Sequence, residues 1–112
     1  MALQKPLADH ELSPEARAVL DDIRATRKTG QVNDIWRVLA HDPKQLRLTW
    51  SAVREVMVPG ALDPLVKELV YVAVSVTNNC EYCIHTHTAS ARAKGMTEAQ
   101  FMADVMRHFQ EQ

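Results

Sequence analysis

The sequence predicts an all-α protein, a compact helical domain of about five to six helices within a chain of 112 residues. Three observations carry that prediction. Proline and glycine punctuation divides the chain into helix-length pieces. Several pieces open on a Ser-Pro or Asp-Pro pair, which suits an N-cap followed by a proline that has no N–H to lose at the first helical position. Inside them, apolar residues recur at intervals of three and four.

The first helix starts at Ser13-Pro14-Glu15, and Gly30 is its expected stop. Ala16, Val19, Leu20 and Ile23 form its inner stripe, and Asp21 to Lys28 is a solvated, charged run. Asn33 to Ala40, with Ile35, Trp36, Val38 and Leu39, is long enough for one or two turns. Asp42-Pro43 opens a third helix that places Leu46, Trp50, Val53 and Met57 on one side and stops near Val58-Pro59-Gly60. Trp36, Trp50 and Phe101 fall at core spacings.

Asp63-Pro64 begins a segment that is apolar almost all the way round, Leu65 to about Thr77, so it should be buried by the fold or by a partner subunit. Val70, Val72, Val74 and Val76 also alternate with Tyr71, Ala73, Ser75 and Thr77 in the period of a strand. Length and the Asp-Pro start favour the helix, and there is no second strand for it to pair with. After Asn78-Asn79, Cys80 to Lys94 forms a helix ending at Gly95. Thr97-Glu98-Ala99-Gln100 is a capping box for a last helix that packs Phe101, Val105 and Phe109.

Composition excludes several classes of function. Hydrophobic residues at 46% and charged residues at 24% fit an ordinary globular chain, with one domain expected over residues 1–112. Thirteen basic against fourteen acidic residues leave a formal charge of −1, and aromatics are 5%, so neither nucleic acid nor an anionic membrane is an expected partner. No run approaches the ~18 apolar residues of a membrane span, and Met1 to His10 carries no signal-like apolar stretch; the expected location is cytoplasmic. Two cysteines do not make a secreted disulfide framework.

The spacing of those cysteines carries the chemistry. In Asn79-Cys80-Glu81-Tyr82-Cys83-Ile84-His85-Thr86-His87, a helical turn of about 100° per residue aligns Cys80, Cys83 and His87 on one stripe and puts His85 elsewhere. Both thiols fall in the first turn, where orphan N–H groups and the helix dipole favour a thiolate. Glu68 is a charge inside an apolar helix and needs a partner. A hairpin turning near Asn78 brings Glu68, ten residues before it, level with His87, nine after it. Glu68, His87 and Cys83 then have the form of orienting acid, base and nucleophile. The second thiol favours peroxide reduction or disulfide exchange over acyl transfer, because a sulfenic acid can condense with a neighbouring thiol.

Glu68 followed by Cys80-x-x-Cys83-x-x-x-His87 resembles the signature of the alkyl hydroperoxidase D (AhpD-like) proteins in the carboxymuconolactone decarboxylase-like superfamily, over about residues 33 to 108. The resemblance implies an all-α fold, a homo-oligomer (trimer or hexamer) that completes its core by association, and antioxidant thiol peroxidase activity on organic or hydrogen peroxides. It makes Cys83 peroxidatic, Cys80 resolving, His87 the base and Glu68 its proton-relay partner. It also implies no bound cofactor and an external dihydrolipoyl or other dithiol protein as reductant. Tyr82 stands where the well-known active sites of this type have His; a phenol, with its reference pKa of ≈ 10, is no ready base near neutrality.

Other chemistries remain open to the same residues. Cys80, Cys83, His87 and Glu68 could supply four zinc ligands, although structural zinc sites usually draw on two separated pairs. A redox-sensing helical oligomer without turnover and a lactone decarboxylase of the same superfamily are further alternatives. A thioredoxin-like site needs strands around its C-x-x-C, which this chain does not offer.

Overall fold

Side-chain caps start most of the helices where the residue pattern places them. Ser13 Oγ accepts the Ala16 N–H at 3.1 Å and opens α1, Pro14–Arg27. Helix α2 spans Asp34–Leu39. Asp42 Oδ1 accepts from the Gln45 N–H at 3.2 Å at the head of α3, Pro43–Met57. Asp63 Oδ1 takes the Leu65 N–H at 2.8 Å and opens α4, Pro64–Thr77. Helix α5 runs Glu81–Ala93 and α6 Glu98–Phe101, where Thr97 and Gln100 exchange reciprocal bonds of 2.9 and 3.2 Å in the expected capping box.

The structure is a computed structural model and describes residues 4–101 and residue 103. The expected packing of Val105 and Phe109 lies outside them. Among the described residues there is no strand, so the alternating valines of α4 are helical. One boundary differs from expectation. Helix α1 ends before Gly30: Lys28 takes the left-handed conformation (φ 54°) and the Thr29 N–H returns to the Arg24 carbonyl at 3.2 Å. A short 3₁₀ turn at Asp9–Glu11 was not legible in the apolar pattern.

The chain divides into two compact units, residues 1–56 and 57–112. In the first, all four expected α1 residues are buried, and with Leu46, Trp36 and Trp50 they make the core. Leu20, Ile23 and Leu46 are fully buried, each contributing roughly 1.5–3 kcal/mol by leaving water. The two indoles meet edge to face at 5.5 Å, with the Arg27 guanidinium 5.6 and 5.3 Å from their centroids. Trp50 Nε1 donates to Asp22 Oδ2 at 2.7 Å, which gives the buried indole its partner.

In the second unit α4 and α5 form an antiparallel hairpin. Its turn is a Schellman motif: Asn79 adopts φ 54°, the Asn79 N–H bonds the Val76 carbonyl and the Cys80 N–H bonds the Ser75 carbonyl, both at 3.0 Å. Asparagine tolerates that left-handed conformation better than most residues. Cys80 is therefore both the last residue of the α4 stop signal and the N-cap of α5. A second Schellman motif ends α5: Gly95 (φ 98°) bonds back to Arg92 at 3.1 Å and Met96 to Ala91 at 2.9 Å. Val72, Val76 and Ile84 are buried between these elements, with Phe101 packed against them. Of the helix expected to be buried by the fold or by a partner subunit, the fold covers one side, and Val66, Val70 and Val74 line a stripe of α4 that it leaves exposed.

Candidate active site

The hairpin turn sets the register of the site. Holding Cys80 at the α5 N-cap places Cys83 one turn in, and the two residues form a disulfide with Cα atoms 5.3 Å apart. The Cys83 N–H points at Cys80 Sγ, at 3.4 Å. One turn beyond Cys83, His87 reaches across to α4 and its Nδ1 lies 2.9 Å from Glu68 Oε2. The structure thus brings together the two residues that spacing from the turn aligns. Among the described residues no hydrogen bond joins His87 to either sulfur, and in the disulfide neither sulfur carries a proton to exchange.

Glu68 is 3% exposed, the one charged residue in the interior of the described chain. Its neighbour Lys67 takes a different direction, donating to the Val58 carbonyl at 2.6 Å. The Glu68 carboxylate is not left bare: His87 holds Oε2, and Lys94 Nζ holds Oε1 at 3.1 Å. Burial pushes its carboxyl upward, but the hydrogen bonds from His87 and Lys94 and their charges outweigh burial and hold it below its ordinary value of 4.5. Glu68 is accordingly ionised near neutrality. An ionised carboxylate only accepts, so the His87 proton sits on Nδ1 and a neutral ring offers Nε2 as its acceptor.

Two contributors were missed by the sequence reasoning. Tyr71 stacks on the His87 ring at a centroid distance of 3.5 Å and an interplanar angle of 16°. It lies three residues after Glu68, on the same face of α4, and that interval was the signal. Lys94 lies seven residues after His87 and so continues the stripe of Cys80, Cys83 and His87, but as the last residue before a glycine it reads as a helix end. Tyr82 is 45% exposed. His85 stands on the wet side beside Glu81 at 3.8 Å, off the stripe.

A separate groove runs along the other face of α5, between Asn79, Ile84, Thr88, Arg92 and Phe101, and includes none of Cys80, Cys83, His87 or Glu68. Among the described residues no three His, Cys, Asp or Glu side chains are arranged to hold a metal ion. No described helix is long and apolar enough to cross a membrane.

Known proteins are similar to this chain. The crystal structure of the alkylhydroperoxidase AhpD core from Rhodospirillum rubrum is 54% identical, covers 99% of this chain and 84% of its own, and superposes with a TM-score of 0.91. An alkyl hydroperoxide reductase of Mycobacterium tuberculosis is 30% identical over 74 residues, which are 66% of this chain and 22% of that protein. A protein of the Paracoccus denitrificans cox locus is 43% identical over 47 residues, 42% of each chain. The present chain thus spans less than half the length of these two curated relatives. The model of the carboxymuconolactone decarboxylase family matches residues 45–108, more than half of the sequence and the whole of the hairpin that carries the cysteines. An all-helical chain with this match and this structural likeness belongs to the carboxymuconolactone decarboxylase family, as an AhpD-like member.

Proposed function

We propose that this protein is a thiol peroxidase that reduces organic or hydrogen peroxides through Cys83 and Cys80, with His87 and Glu68 managing the protons. The observation that carries the proposal is the Cys80–Cys83 disulfide at the head of the helix that also carries His87, itself hydrogen-bonded to buried Glu68.

The chemistry starts from the reduced pair. His87 takes the proton of Cys83, and the imidazolium so formed is stabilised by the Glu68 carboxylate at Nδ1. The Cys83 thiolate attacks one peroxide oxygen: an S–O bond forms, the O–O bond breaks, and the alcohol or water leaves with a proton returned from the imidazolium. Cys83 is now a sulfenic acid, oxidised by two electrons. The Cys80 sulfur then attacks Cys83 Sγ; the S–S bond forms, the S–O bond breaks and water departs. The product is the disulfide seen in this structure. No cofactor is needed within the chain; a dihydrolipoyl or other external dithiol returns the two electrons by exchange.

A homo-oligomer completes the reading. Val66, Val70 and Val74 are 40, 54 and 53% exposed on one stripe of α4, a surface suited to burial against a second copy.

Peroxide consumption with dihydrolipoate or dithiothreitol tests the proposal. Wild type turns over and Cys83→Ser does not. Pre-reduced Cys80→Ser, with no dithiol added, consumes about one equivalent and stops, because its sulfenic acid has no partner thiol. Full turnover by Cys83→Ser would overturn the mechanism.

A further inference from the structure

We propose that Lys94 is a positioning residue of this site: by holding Oε1 of Glu68 it keeps the buried carboxylate ionised and turned so that Oε2 is presented to Nδ1 of His87. The inference rests on the peroxidase reading for its kinetic consequence and on geometry alone for its structural one.

Lys94 is delivered by the backbone. It is the C-cap of α5, and the Schellman closure at Gly95 and Met96 fixes it there. From that point its side chain folds back along α5, passing Ser90 Oγ at 3.4 Å and ending 3.1 Å from Glu68 Oε1. Its side chain is 37% exposed while that of Glu68 is 4% exposed. The ammonium therefore stands between the carboxylate and water.

A carboxylate with one oxygen on His87 and the other on an ammonium cannot rotate without losing both bonds. With only His87, it would be a buried charge whose second oxygen lacks a donor, and burial would favour its protonated form. A protonated Glu68 can donate, so it no longer dictates that the His87 proton sits on Nδ1. The ring's tautomer and orientation then lose their support. Among the described residues, the charged and titratable groups around Glu68 are His87 and Lys94 from α5, with Tyr71 stacked on the imidazole and Lys67 next in sequence on α4. Lys94 is the lysine among them that bonds Glu68.

The test compares Lys94→Met and Lys94→Arg with wild type in two measurements. The first is the single-turnover rate of the pre-reduced protein with peroxide between pH 5 and 8. The ratio of Lys94→Met to wild type should fall by at least about fivefold as pH drops across that range, while Lys94→Arg keeps a ratio near constant. The second is a ¹³C titration of the Glu68 carboxyl, which should move to higher pH in Lys94→Met and return toward wild type in Lys94→Arg. A ratio that is flat with pH, or a Glu68 titration unchanged in Lys94→Met, overturns the proposal. Wild-type protein that fails to consume peroxide would remove the peroxidase reading instead, and the carboxyl titration would still decide whether Lys94 holds Glu68.

Discussion

Replacing Glu68 with Gln tests the site most directly, because the volume and one acceptor oxygen stay while the charge goes. The cost has two parts. The contact to His87 is a 2.9 Å bond between side chains that are 17 and 4% exposed. Bonds to charged groups in such settings contribute about 1.5–3 kcal/mol. The 3.1 Å pair with Lys94 has one end 37% exposed, where solvent screening reduces its contribution to about 0.5 kcal/mol. The unfolding free energy of Glu68→Gln should therefore fall by about 2–3.5 kcal/mol. In the proposed mechanism the rate responds to the first part, since there the carboxylate stabilises the imidazolium that forms when Cys83 gives up its proton. Expressed fully in the transition state, it slows single-turnover oxidation by about 10- to 150-fold. Thiol loss after mixing reduced protein with excess peroxide reads the rate. Urea unfolding should be followed by circular dichroism and by amide exchange in α4 and α5, because Trp36 and Trp50 both report from residues 1–56. A variant within about twofold of wild type in rate and about 0.5 kcal/mol in stability would refute the reasoning.

Further expectations concern acid, packing, capping and association. Glu68 titrates below its ordinary value of 4.5 in the folded protein, so its contribution to stability is complete above that pH and disappears as pH falls through the lower folded value; Glu68→Gln should lack this limb of the acid-unfolding curve. Leu46→Ala removes a fully buried side chain from the tryptophan-bearing unit and should cost about 2–5 kcal/mol, read by tryptophan fluorescence in urea. Ser13→Ala leaves the Ala16 N–H without its acceptor and should cost about 1 kcal/mol in the same assay. Val70→Lys places a charge in the exposed apolar stripe of α4 and should lower the sedimentation mass of wild-type assemblies without changing helical content; an unchanged mass would remove that stripe from the interface.

Much of this architecture was legible because its determinants are local. Ser13, Asp63 and the Thr97–Gln100 box act within one turn of their own positions, so the residues alone identify them. The stripes of α1 and α3 follow from periodicity. Glu68 and His87 were paired by their spacing from the turn, which works because a tight antiparallel hairpin leaves little freedom of register. Tyr71 and Lys94 escaped because each needs a side-chain direction as well as a position. An aromatic ring can lie on an imidazole or turn away, and a lysine at a helix end usually serves the terminal carbonyls or water. Which face of α4 the fold covers was not legible for another reason. Hydrophobicity records that a face avoids water, not which surface covers it, so a helix apolar all round does not say which side faces its own fold.

Cys80 shows how one atom can be asked for two different things. A helix start prefers the oxygen of Ser, Asp or Asn as the acceptor for its first free N–H groups, and a sulfur 3.4 Å from the Cys83 N–H is a weak substitute. The beginning of α5 is thus less firmly closed than the chain's own Ser13 and Asp63 starts. In the reduced protein, serine at position 80 would give the helix a better beginning and leave it without the thiol proposed to resolve Cys83, so Cys80→Ser separates that chemistry from capping, whereas Cys80→Ala removes both at once. A library of the reduced protein screened only for thermal stability should accordingly drift toward serine at this position and silently discard the Cys80–Cys83 pair.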